Sequence, residues 1–265
     1  MEERRARESE KIIRIIYRIF YMLQRLKSRL ILAQKQLLHR LYIGPRRERS
    51  VLDEFHKLYY YSSVSGKTWS DTWWQGIQVL KCPLDLWVYQ EIIFRVRPDL
   101  IIETGTYKGG TAHFLASMCD LLAPSPNGGR GLGGEVLTVD IEAYPDRPAH
   151  PRISYLHGSS TDERIVQTIR ERAAGKDSIL VILDSDHSMA HVRREMELYG
   201  PLVTKGSYLI VEDTNIHGNP VLPESGPGPN EAIEDFLKFH SEFTIDRSME
   251  KLLMTFNPGG YLKRI

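Results

Sequence analysis

Residues 97–118 read RPDLIIETGTYKGGTAHFLASM. An apolar run ends at Glu103, a glycine-rich turn follows through Gly105, Gly109 and Gly110, and apolar residues at helical spacing take over from Thr111. Strand, tight turn and helix in that order open a βαβ unit, where the free N–H groups of the turn and the helix N-terminus face a ligand. The turn is not built for phosphate. It fits neither G-x-x-x-x-G-K-[ST] nor G-x-G-x-x-G, and Glu103 at the strand end would repel a pyrophosphate. An acid there suits a cation, such as the ammonium and sulfonium of S-adenosylmethionine. The alternative is an ordinary strand-to-helix turn that holds nothing.

Downstream the pattern repeats. Apolar strand-like runs at 135–142, 153–158, 178–186 and 206–215 alternate with helical spacing at 111–122, 162–175, 190–203 and 230–240, and two further strands are expected at 243–249 and 252–265. Continuous apolar strands separated by helices predict a parallel sheet with helices on both faces, an α/β, Rossmann-like fold. Glycine-rich residues 124–134 and Gly/Pro-rich residues 217–229 read as loops. Upstream, an aromatic-rich segment contains Trp69, Trp73, Trp74 and Trp87, with helical spacing over 83–95. Core packing is expected for at least two of these tryptophans; stacking on a sugar or covering a cofactor is the other use.

In open parallel sheets ligands bind beyond the C-terminal strand ends, and every predicted strand there ends in polar residues: Glu103, Asp140, Ser159 with Ser160, Asp184, and Glu212 with Asp213. Asp140, about one βαβ unit past the glycine turn, is placed to take the two hydroxyls of a ribose, or is a solvated strand-end acid. Residues 158–162, GSSTD, supply either hydroxyls for an adenine amino group or a plain helix cap. Asp184, Glu212 and Asp213, with Asp186 near, crowd like charges that need a compensating cation. An all-oxygen set points to Mg²⁺, with Mn²⁺ and Ca²⁺ as alternatives, rather than to zinc. His187 is placed to accept a proton near neutral pH, or is a helix-start residue bonded to a carboxylate. The 217–229 loop, following the metal strand, forms a lid or a structural crossing.

Composition describes a globular chain of 265 residues, 42% hydrophobic and 26% charged, with net charge +1. That total hides an asymmetry: residues 1–50 hold 14 Lys and Arg against five acids. Ile12, Ile16, Phe20, Leu23, Leu30, Leu37 and Leu41 recur at helical spacing among basic residues, predicting a long amphipathic helix that ends before Gly44-Pro45. Three uses compete for it: docking on its own domain or a second subunit, lying on an anionic membrane surface, and binding nucleic acid. Nucleic acid ranks last because no further basic patch follows, so no nucleic-acid partner is expected. Cys82 and Cys119 lack C-x-x-C spacing, so neither a disulfide framework nor a zinc site is expected and a reducing cytoplasm is the default. No apolar run approaches the roughly 20 residues of a membrane span, and no signal-peptide cleavage pattern follows the N-terminus. The expected organisation is a basic helical extension over 1–44, an aromatic-rich helical lead-in over 45–96 and a Rossmann-like domain over 97–265.

Five motifs together carry a family resemblance: ETGTYKGGT (103–111), TVDIE (138–142), HGSSTD (157–162), ILDSDHS (182–188), and VEDTN (211–215) followed by GNPVLPESGPGPNEAIEDFL (218–237). From about Thr68 to the C-terminus the chain resembles the cephalosporin hydroxylase / rhamnosyl O-methyltransferase family, class I S-adenosylmethionine-dependent methyltransferases similar in site layout to catechol O-methyltransferase. The basic helix lies outside the similarity. The resemblance implies that Glu103, Gly105, Tyr107 and Thr111, with Thr106 and Gly109, hold the methionine end of S-adenosylmethionine, and that Asp140 holds the ribose. It gives the adenine to Ser160 and Thr161 with Ser159, and Mg²⁺ to Asp184, Glu212 and Asp213, with Asp184 also bordering the cofactor. His187 and Asp184 become the catalytic pair, although a lysine serves as base at the place of His187 in the catechol enzyme. A sugar hydroxyl of a glycan, glycolipid or glycosylated natural product is the implied acceptor. A homo-oligomer is implied; peripheral contact at the inner membrane face through residues 1–43 is a further partner role that rests on the basic amphipathic pattern, not on the resemblance. Two other readings compete: a hydroxylase, which needs an iron set forced from His187, Asp184 and His217, and a non-catalytic cofactor-binding partner protein.

Overall fold

The computed structural model describes residues 2–122 and 134–265, with side chains in the first helix described from Arg14 onward except Ile16. The basic N-terminal run forms that helix, α1 (Glu2–Tyr42). A second helix, α2 (Gly44–Tyr61), starts at once. The break falls where Gly44 takes φ +58° and Pro45 occupies the first turn of α2, a position that tolerates its missing N–H. The chain forms two compact units, Met1–Asp53 and Glu54–Ile265.

In the second unit a short hairpin of β1 (Trp73–Trp74) and β2 (Ile77–Gln78) precedes α3 (Pro83–Val96). Alternation then begins: β3 (Leu100–Thr104), α4 (Gly110–Leu121), β4 (Glu135–Asp140), β5 (Ile153–His157), α5 (Glu163–Ala173), β6 (Ile179–Leu183), α6 (Met189–Tyr199) and β7 (Tyr208–Val211). The chain closes with α7 (Pro229–Phe236), β8 (Phe243–Ile245) and β9 (Tyr261–Arg264). The seven-stranded sheet has the order β5-β4-β3-β6-β7-β9-β8. β5 to β7 pair in parallel, and β9 runs antiparallel between β7 and β8.

Because side chains alternate along a strand, both faces of an apolar run need a cover. Leu100, Ile102, Val181 and Leu183 pack on one face with Val166 and Ile169 of α5, Met196 of α6 and Phe236 of α7. Ile101, Leu180, Ile182 and Ile210 pack on the other with Val88 and Ile92 of α3 and Leu115 of α4. Each such side chain stabilises the fold by about 1.5–3 kcal/mol relative to exposure. The sheet with helices on both faces is therefore the architecture the periodicity predicts, and strand order reverses at β3, which opens the crevice at its C-terminal end.

Two details differ from expectation. The hairpin of β1 and β2 is additional. The last two strands are shorter than predicted: Asp246 caps a 3₁₀ turn at Arg247–Glu250 by accepting from the Ser248 amide, and residues 251–260 form no strand. Their polar groups are met otherwise, since buried Asp85 accepts from the Thr255 hydroxyl, the Phe256 amide and the Tyr261 hydroxyl. The loop expected at 124–134 lies, apart from Gly134, outside the described residues. Trp69 stacks on Tyr60 and meets Phe256 edge-on. Trp74 packs on Phe114 and donates to the Ser117 hydroxyl at 3.0 Å. Trp73 and Trp87 are exposed.

Candidate active site

The glycine turn is tight because two neighbours close on it. The Gly105 amide donates to the Val139 carbonyl of β4 at 2.9 Å, and the Asp184 amide after β6 donates to the Thr104 carbonyl at 3.0 Å. Gly105 has φ +86°, and a Cβ there would overlap the carbonyl oxygen of Asp184. A side chain is thus excluded twice, by backbone conformation and by space. Tyr107 (φ +47°) and Gly109 (φ +79°) continue the left-handed path into α4, where Thr111 is buried in the first turn.

Glu103 forms the floor of this turn and is fully buried. Its Oε2 accepts from the Thr138 hydroxyl at 2.6 Å, and Thr138 in turn meets the Thr106 hydroxyl at 2.6 Å. Oε1 has no partner. Burial pushes the carboxyl up to about 8, with Thr138 and Lys81 opposing. A buried acceptor without a donor is costly, and a ligand ammonium is the group that would satisfy it.

Asp140 ends β4 beside the turn. Its Oδ2 accepts from the Tyr107 amide at 2.6 Å and its Oδ1 from the Glu142 amide at 2.8 Å. Arg147, which sequence reasoning missed, clamps this corner: its guanidinium donates to the Tyr107 and Glu142 carbonyls, each at 2.7 Å, and lies 3.5 Å from Asp140. The rings of Tyr144 and Tyr155 lie against it at 5.6 and 5.5 Å. At 158–162 the cap is Asp162, which accepts from the amides of Arg164 and Ile165. Ser159 and Thr161 bond to one another at 3.1 Å, and buried Ser160 bonds to His191 at 3.1 Å.

The acid cluster holds a second missed residue. Lys81, buried just before α3, donates to Asp184 Oδ2 at 2.6 Å and to Glu212. Burial alone would lower its pKa, but Asp184 and Glu212 hold the ammonium above its ordinary value. Glu212 Oε1 also accepts from the Tyr89 hydroxyl at 2.8 Å, and Asn257 donates to Tyr89 at 3.0 Å. Part of the compensating charge expected from a metal is therefore built into the protein. Burial and the neighbouring Asp184 push Glu212 well above its ordinary value; with all three carboxylates ionised against one ammonium, two negative charges would be left for a divalent cation to match.

The ligand atoms that converge belong to Asp184, His187 and Asp213, all within 4.8 Å of one another. Glu212 is turned to Lys81 and Tyr89 and would join them only by releasing Lys81. His187 Nε2 lies 3.4 Å from Asp213 Oδ2. Burial pushes Asp213 above the usual carboxylate range; His187 opposes this and Asp184 adds to it. Asp213 itself has φ +53°, with its amide donating to Asn257 Oδ1 at 3.1 Å. Asp186 stands apart, exposed, accepting from the Ser188 amide at 2.7 Å at the start of α6.

His217 does not meet His187 and Asp184. It packs against Gly228, where a Cβ would strike its ring, so the described residues do not assemble the set a hydroxylase would need. The 217–229 loop is tied down at its middle and near its far end: the Leu222 amide donates to the Tyr61 hydroxyl at 3.0 Å, and the Met189 amide to the Pro227 carbonyl at 3.2 Å.

Comparison with known proteins adds three findings. Residues 66–265 match the family described as rhamnosyl O-methyltransferase/CmcI. The chain is 40% identical to the rhamnosyl O-methyltransferase of Mycobacterium leprae (strain TN) over 220 residues, covering 81% of this chain and 91% of that one. The Mycobacterium bovis (strain BCG / Pasteur 1173P2) protein of the same name is 40% identical over 223 residues, covering 81% and 85%. Among solved structures, the fold is shared with "CmcI-N160 apo-structure" (TM-score 0.55, 21% identity, 74% and 77% covered) and "cmcI-D160 Mg-SAM" (TM-score 0.54, 20% identity, 74% and 77% covered).

Proposed function

The chain belongs to the rhamnosyl O-methyltransferase/CmcI family of S-adenosylmethionine-dependent O-methyltransferases, and we propose that it methylates a sugar hydroxyl with the help of Mg²⁺. The observation that carries this reading is the buried, unpartnered Oε1 of Glu103 under the glycine turn, on the strand paired with the one that leads to Asp184. A cation pocket and an acid–imidazole cluster then share one sheet edge. Glu103 would take the methionine ammonium, with Gly105, Thr106, Tyr107, Gly109 and Thr111 forming the cradle. Asp140 would take the ribose, and Ser159, Ser160 and Thr161 the adenine. Asp184 and Asp213 would hold Mg²⁺, with Glu212 behind them.

When bound, S-adenosylmethionine supplies the electrophilic methyl and Mg²⁺ a positive charge beside the acceptor oxygens. The remaining work is the protein's: positioning the hydroxyl against the methyl and accepting its proton. Mg²⁺ prefers oxygen ligands, which leaves the His187 imidazole for the proton, oriented by Asp213. The relatives' names support a rhamnosyl acceptor, and "cmcI-D160 Mg-SAM" supports the cofactor and metal. Assembly into a homo-oligomer is part of this reading. A cytoplasmic setting agrees with two free, buried cysteines, and residues 1–44 would be an extension separable from methyl transfer.

Glu103 makes the reading testable. Its carboxyl, pushed up to about 8, holds a proton at pH 7, and a bound ammonium favours the ionised form. Binding must then release that proton, and affinity must rise with pH toward 8. Calorimetry of S-adenosylmethionine binding in buffers of different protonation enthalpy should show release by the wild type that Glu103→Gln lacks, with affinity in the variant lower by about 1.5–3 kcal/mol. Equal proton release and equal affinity in the two proteins would remove Glu103 from the cofactor site.

A further inference from the structure

α1 lies outside the matched residues 66–265 and plays no part in the site above. Every described side chain from Arg14 to Ile43 is exposed, including large apolar ones such as Ile19, Phe20, Leu23, Leu26, Leu30 and Leu37. On a helix of about 3.6 residues per turn, apolar side chains fill an arc of roughly 200°. Arg18, Arg25, Arg29, Lys35 and Arg40 occupy the opposite face or the edges of the arc, and Lys27 and Gln34 interrupt it. No acid occurs between Lys11 and Arg47.

We propose that α1 lies along an anionic lipid surface, its apolar arc in the acyl boundary and its arginines at the headgroups. The charge pattern selects this occupant. Two copies packed along the acid-free stretch between Lys11 and Arg47 would set like charges beside one another over most of its length. A coiled-coil seam is also narrower than this arc. A broad apolar face, a cationic opposite face and low net hydrophobicity are the properties of a helix that lies in a membrane interface. Lys27 can extend its ammonium to the headgroup level while its stem stays in the apolar layer. No helix among the described residues is long and apolar enough to cross a membrane, so the contact is peripheral.

The test is flotation of the full chain with phosphatidylcholine vesicles containing phosphatidylglycerol, and with phosphatidylcholine alone. The protein should float with the anionic vesicles, bind phosphatidylcholine at least about tenfold less, and detach in about 1 M salt, where the Debye length is about 3 Å. Replacing Arg18, Arg25 and Arg29 together by Gln should weaken binding about 100-fold, at about fivefold per basic residue near the surface. Leu23→Asn with Leu30→Asn should weaken it while leaving every charge in place. Unchanged S-adenosylmethionine affinity in these variants keeps the test separate from the active-site reading. Equal binding to both vesicle types, retention in high salt, or no vesicle binding would overturn the proposal, and a dimer mass that the Leu variants abolish would then give the arc to a second copy.

Discussion

Replacing His187 by Ala is expected to lower turnover by about 10²–10⁴-fold, the usual contribution of a positioned general base. The imidazole lies 3.4 Å from Asp213, beyond the end of β6, and a carboxylate at that nitrogen fixes the ring. Loss of the base should also remove an ionisation from the pH dependence of the limiting rate. S-adenosylmethionine affinity should stay unchanged, because Glu103 and Asp140, not His187, face the cofactor in this account. A variant that keeps the wild-type rate and pH profile would show that the acceptor is activated without His187.

Gly105→Ala is expected to be the most damaging single methyl group in the fold. Its Cβ would overlap the Asp184 carbonyl, and φ +86° adds the strain of a left-handed non-glycine residue, about 1–2 kcal/mol. Overpacking adds about 1–3 kcal/mol. Together these should lower stability by about 2–5 kcal/mol and displace Asp184, so that both the thermal midpoint and cofactor affinity fall. Unchanged values for both would mean that β3 and β6 are not held as closely as described.

The acids at the strand ends were legible because a parallel sheet converts periodicity into position: once the strands are found, their last residues share an edge. Glu103, Asp140, Asp184, Glu212 and Asp213 all follow from that rule. Lys81 does not. It meets Asp184 across 103 residues and Glu212 across 131, from a stretch before α3 that carries no pattern. Its presence changes the electrostatics, since the sequence assigned the whole compensating charge to a metal and the structure gives part of it to an ammonium. Breaking such a buried pair by removing one partner usually costs about 3–5 kcal/mol. Arg147 was hidden for a related reason. It belongs to the stretch between β4 and β5, and only the folded corner shows that its fork spans two carbonyls beside Asp140.

The C-terminal residues show the opposite error. Leu252 to Phe256 look like a strand, yet Met254 and Phe256 pack in a small cluster with Cys82, Tyr59, Tyr60 and Trp69, while Asp85 takes the polar groups a neighbouring strand would have met. Long-range satisfaction by one buried acid overrides local β propensity here. The break at Gly44-Pro45, by contrast, is local chemistry, and the sequence marked it to within two residues.

Transfer of isotope-labelled methyl to a rhamnoside with free vicinal hydroxyls tests Mg²⁺-assisted methyl transfer from S-adenosylmethionine most directly. Labelled methyl ether is expected in the presence of Mg²⁺, with loss of the product both in chelator and in Asp213→Ala and S-adenosylmethionine still bound in each case. Product formed at the same rate in chelator, or no transfer to any hydroxylated sugar despite bound S-adenosylmethionine and Mg²⁺, would contradict it.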